Sequence, residues 1–149
     1  MPVLGGEMSS TAAIKVIGTP GPKGSKSFKG LANNGRAIMV ESSKLVKPWS
    51  EAVIYAARES GVRIEGPVVL SAFFTVRKPR SAPKRRKTYP SVKPDIDKYM
   101  RCTLDALVAA GTIEDDGRVI DCRGVKCFPG EHEMALDVPG AVILLRGVE

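Results

Sequence analysis

Short β-branched or aromatic runs and stretches of period near 3.6 follow one another along this chain, and the switches between them mark out its elements. The β-branched stretch Ile14 to Ile17 predicts a first strand, and Arg36 to Glu41 a second. From Pro48 the pattern takes a helical period. Trp49, Ala52, Val53, Ala56 and Ala57 fall on one side and Glu51, Arg58 and Glu59 on the other, a helix with Pro48 in its first turn and Gly61 as its stop. Val68 to Val76 is dense in β-branched and aromatic residues and predicts a buried strand. From Asp97 to Ala110, Tyr99, Thr103 and Leu107 form one row and Met100, Leu104 and Val108 the next, the apolar stripe of a helix that packs on a sheet. Asp97 is placed to cap that helix and Gly111 to end it. Strands are expected over Arg118 to Cys127 and Ala141 to Arg146.

The intervening segments lack either pattern. Thr19 to Gly30, TPGPKGSKSFKG, reads as loop, residues 1–12 as a disordered tail, and residues 77–94, with prolines at 79, 83, 90 and 94, as a long mobile connection of the kind that carries function. The pattern as a whole predicts one domain over 1–149 of α/β (α+β) class, a small mixed sheet with two main helices packed on it.

Composition adds little until charge is mapped. Hydrophobic residues at 43% and charged residues at 26% describe an ordinary globular chain, long enough to bury roughly 68–70% of its unfolded surface. No apolar run approaches the ~20 residues of a membrane span, and the N-terminus lacks a secretory pattern, so a cytoplasmic protein with no membrane partner is expected. Cys102, Cys122 and Cys127 do not have zinc-ribbon spacing, and although His132 follows five residues after Cys127, reduced, largely buried thiols are the simpler expectation. The formal charge of +7 is local. Residues 77–93 hold Arg77, Lys78, Arg80, Lys84, Arg85, Arg86, Lys87 and Lys93 and no acid, leaving the rest of the chain near neutral.

Beside that cationic stretch lies an acidic constellation. A step of four residues rotates a helix by only about 40°, so Asp97, Arg101 and Asp105 share one polar row, with Asp95 at the helix entrance. Asp115 and Asp116 occupy the turn that leaves the helix. A return strand packed against the helix is expected to bring this pair back toward Asp95 and Asp97. Converging carboxylates repel unless a divalent cation neutralises them, and hard oxygen ligands select Mg²⁺ or Mn²⁺, an ion suited to phosphodiester hydrolysis. Singly these acids have plainer roles, Asp97 as a cap, Asp116-Gly117 as a turn, Asp105 as a solvated helix residue. A calcium EF-hand opening at Asp95 is excluded, because Met100 and Ala106 stand where Gly and Glu are required. The basic stretch either solubilises the chain or binds phosphate, and Arg forks next to an acidic site favour phosphate. Tyr89 is placed to stack on an exposed base.

The order KPDIDKYMRCTLDAL…IEDDGRV resembles the RusA-like Holliday junction resolvases, with a core of likeness over about residues 93–126. The resemblance implies that Asp95 and Asp97 are the paired metal ligands and Asp116 the third catalytic carboxylate, with Asp115 and Asp105 as outlying carboxylates. Arg101 stands where the best-known member has lysine. Arginine keeps its proton, so it is suited to clamping the scissile phosphate and not to acting as a base. Lys98, at a position often Asn in the family, adds a phosphate contact. Also implied is a homodimer, since two symmetric cuts in a four-way junction suit a C2 pair with one site per subunit; the strands preceding the basic loop are candidates for its surface. The expectation is a Mg²⁺-dependent endodeoxyribonuclease, Mn²⁺ substituting, that cleaves branched DNA in recombination, repair or phage DNA processing. Its rivals are a non-catalytic nucleic-acid-binding module and a nuclease for flaps, other branches or RNA.

Overall fold

The computed structural model describes residues 10–24, 26–41 and 43–148, without the side chains of 26–29 and 37–41. Strands β1 (Ala12–Ile17), β4 (Val68–Thr75), β5 (Val119–Cys127) and β6 (Gly140–Gly147) form one sheet in the order β1-β6-β4-β5. β6 runs antiparallel to both its neighbours, and β4 and β5 are parallel. A separate hairpin pairs β2 (Lys26–Leu31) with β3 (Ala37–Glu41).

Helices α1 (Val46–Ser60) and α2 (Ile96–Ala110) cover one face of the sheet. Alternation decides which strand residues meet them. Ile14 and Val16 of β1, Leu70 and Phe74 of β4, and Ile143 and Leu145 of β6 are buried together with Trp49, Val53 and Leu107. The Trp49 indole N–H, itself buried, donates to Thr103 Oγ1 at 3.1 Å and ties the helices to each other. Both helices end on a left-handed glycine, Gly61 and Gly111, as the sequence indicates.

Parallel strands require a crossover, and α2 is that crossover. The chain leaves the C-terminal end of β4, passes through residues 76–95, descends along α2 and re-enters the sheet at the start of β5. Helix α2 therefore runs antiparallel to both strands.

The mixed sheet with two helices matches the sequence expectation, with three local differences. The Thr19–Gly30 segment is not wholly loop, because Lys26–Leu31 pairs with β3. Its turn is held by Gly35 at φ 81° and by the Arg36 N–H donating to Asn34 Oδ1 at 3.0 Å, and such pairing is set by the partner strand and not by local composition. Ala12 already belongs to β1, so structure begins inside the expected tail, of which residues 1–9 lie outside the described residues. The cap of α2 is Asp95 and not Asp97, which sits in the first turn.

Candidate active site

Helix α2 presents its carboxylates at the C-terminal end of the parallel strands. Asp95 has extended backbone at the cap position but its side chain does not close onto the helix; that carboxylate lies exposed, 3.9 Å from Lys98 Nζ. Asp97 is exposed one turn-position further on. Two anions beside helical N–H groups are favoured by the dipole, which eases their mutual repulsion.

Two residues of β5 hold this corner. Lys126 Nζ donates to the carbonyls of Val92 and Pro94 at 2.7 and 2.8 Å, pinning the chain as it enters α2. Burial lowers the Lys126 pKa, and the nearby Asp95 opposes that shift. Gly124 lets the first turns of α2 lie on the strand, because a Cβ there would come within 3.1 Å of Ile96 Cδ1 and 3.2 Å of Met100 Sδ.

Two members of the polar row, Arg101 and Asp105, face the segment before β2. Lys23 donates its backbone N–H to Lys98 O at 3.0 Å and its ammonium to Asp105 Oδ2 at 2.8 Å, and that hydrogen bond raises the Lys23 pKa. A side chain at Gly24 would meet Arg101 Nη1 at 3.4 Å. Asp105 is thus neither merely solvated nor turned to Asp95; it fastens the 19–24 segment to the helix.

The later acidic pair falls elsewhere. Asp115 Oδ2 accepts from the Gly117 N–H at 3.1 Å and caps a single 3-10 turn, Asp116–Arg118, whose Asp116 is exposed. Because β5 runs antiparallel to α2, its end and not its start returns to Asp95. Val119 is in register with Val68 and Lys126 with Phe74, and nine strand residues at ~3.3 Å each put Asp116 roughly a strand's length from Asp95. The expected convergence of three carboxylates therefore does not occur within one chain. Among the described residues no three Asp, Glu, His or Cys side chains are grouped to hold a metal ion. Asp95 and Asp97 are two exposed oxygen donors at one helix end, the donor type that hard cations prefer.

The basic loop is fastened by a residue the sequence did not single out. Glu131 pairs with Lys78 Nζ through one oxygen and accepts the Thr88 N–H through the other at 2.8 Å. Lys78 Nζ also donates to Arg86 O at 3.3 Å and lies 5.7 Å from the Phe128 ring centroid, so it closes the loop and does not face solvent. Arg77, Arg80, Lys84, Arg85, Arg86, Lys87 and Lys93 are exposed, and Lys98 is half-buried beside Asp95. Glu131, Lys126 and Lys23 each act on residues more than thirty positions away, so no local pattern marks them. Cys102 and Cys127 are buried free thiols, whereas Cys122 is an exposed free thiol on β5. No helix among the described residues is long and apolar enough to cross a membrane.

A family model described as endodeoxyribonuclease RusA matches residues 18–138 of the 149. The chain belongs to the RusA family. The match takes in the Lys23 segment, both helices, the basic loop, the two acidic pairs and Glu131, so every part of the corner lies within the RusA region. RusA proteins are endodeoxyribonucleases of Holliday junctions, and this chain is a nuclease of that kind. No curated protein matches the chain.

Proposed function

We propose that this RusA protein is a Mg²⁺-dependent homodimer that resolves four-way junctions by paired phosphodiester hydrolysis, in recombination, repair or phage DNA processing in the cytoplasm. One observation carries the proposal: two exposed carboxylates, Asp95 and Asp97, stand at a helix N-terminus with Lys98 and Arg101 on the same helix and a cationic loop leading into it.

Asp95 and Asp97 would hold the divalent ion. Such an ion polarises a phosphoryl oxygen and lowers the pKa of bound water. Arg101 and Lys98 hold the phosphate, with Arg101 neutralising charge that grows on its oxygens. The exposed cations of the loop follow the adjoining backbone, a salt-sensitive attraction. Asp116, remote from this corner in its own chain, becomes useful in a symmetric pair. If Asp116 of one copy meets Asp95 and Asp97 of the other, C2 symmetry creates the same meeting a second time, and two complete sites result.

The test compares wild type and Asp97→Asn on a synthetic four-way junction, a flap and a plain duplex, with and without Mg²⁺. The expected result is symmetric nicking of the junction by wild type with Mg²⁺ alone. Asp97→Asn should cut at least a hundredfold more slowly and bind the junction as tightly or more so, since a negative charge near the phosphates is gone. Undiminished nicking by Asp97→Asn would sink the assignment.

A further inference from the structure

Between residues 89–93 of the basic loop and residues 124–126 of β5 runs an open groove of about 830 Å³. Tyr89, Val92, Ile96 and Val125 give it apolar walls, and Asp95 stands at its border. Two of its loop residues are large, hydrophobic and bare: Tyr89 is 68% and Val92 70% exposed, on a loop otherwise of charged, proline and small residues. Lys87 Nζ lies 5.4 Å from the Tyr89 ring centroid and brings a cation to the same place. β5 is an edge strand, so main-chain groups along its outer side are not used by the sheet.

We propose that this groove receives an unstacked nucleobase of the DNA substrate, with Tyr89 as its stacking platform and the β5 edge beside its polar rim, and so selects which phosphate lies at Asp95. The proposal rests on the nuclease assignment of Asp95 and Asp97. An aromatic ring, aliphatic walls and unpaired main-chain groups match the two surfaces of a base, an apolar face and a hydrogen-bonding edge. The cations around the groove match the phosphates that arrive with it. In continuous duplex those base faces are hidden, whereas at a branch point stacking is already interrupted and extrusion costs least. A base groove next to the carboxylates therefore makes branched DNA the better substrate.

The experiment uses junctions carrying a single 2-aminopurine at successive positions around the crossover, titrated in chelator with Asp97→Asn, alone and combined with Tyr89→Ala, Tyr89→Phe or Tyr55→Ala. Tyr55 is equally exposed, on α1. One or two positions next to the crossover should respond. That response should vanish with Tyr89→Ala, persist with Tyr89→Phe and Tyr55→Ala, and be accompanied by about 5- to 100-fold weaker junction binding for Tyr89→Ala. In the otherwise wild-type chain, Tyr89→Ala should spread the cuts over neighbouring phosphates. An identical fluorescence response and identical cut positions with Tyr89→Ala overturn the proposal. So does a shift from dimer to monomer in sedimentation without loss of the base response, which would give the groove to a second copy. Failure of the nuclease assignment looks different: no junction is cut by the otherwise wild-type chain, whatever the Tyr89-dependent signal.

Discussion

Glu131 joins the start of the basic loop to its later half, because one of its oxygens takes the Lys78 ammonium and the other the Thr88 amide. The Lys78 hydrogen bond first, and the Thr88 amide second, hold its carboxyl below the ordinary value of 4.5. A carboxyl depressed on folding stabilises the closed loop at pH above its unfolded value, and that contribution is lost as pH falls through the lower folded value. The Thr88 amide should exchange slowly at neutral pH, lose protection only below pH 4.5, and exchange rapidly at all pH in Glu131→Ala. Equal exchange in both proteins would remove the clasp. At this scale the candidate residues were readable from the sequence wherever chemistry is local, as for the DxD pair with Arg101 in the next turn. Lys78 is the opposite case, since the partner that holds it, Glu131, lies 53 residues away.

The helix that carries Asp95 and Asp97 depends on one small residue of the strand beneath it. Gly124→Val would drive a branched side chain into Ile96 and Met100, where even a Cβ is tight. It should cost about 1–3 kcal/mol, lowering the urea midpoint at unchanged slope, with the single tryptophan, buried Trp49, as the fluorescence probe. Gly124→Ala should cost less, because the ends of Ile96 and Met100 can yield a few tenths of an ångström. A midpoint for Gly124→Val equal to wild type would mean that α2 does not bear on β5. Elements with a strong period, α1, α2 and β4, were readable within one or two residues. Of the β2–β3 hairpin, β3 was readable and β2 was not, since β2 is rich in Lys, Ser and Gly and is defined by backbone pairing with β3.

Direction is a property of the whole molecule, and it separates the two acidic pairs. A parallel β4–α2–β5 crossover places the start of β5 at the far end of α2 from Asp95. In the proposed dimer each site is then shared, and mixing inactive variants tests this. A mixed dimer of Asp97→Asn and Asp116→Asn subunits contains one site with both lesions and one with neither, so nicking of a junction strand should return on mixing and subunit exchange. Were each site built within one chain, both would carry a lesion and the mixture would stay inactive. The sequence by itself determined the two helices, the strands of the main sheet, their apolar faces and the residue types of an acidic corner beside a basic loop, because periodicity, capping and carboxylate spacing are local properties of the chain. Only the tertiary structure decided that β5 meets Asp95 with its end, that Glu131, Lys126 and Lys23 hold the corner, and that a bare groove opens beside it. Those facts depend on strand direction and on contacts between residues far apart in the chain, which local patterns do not encode.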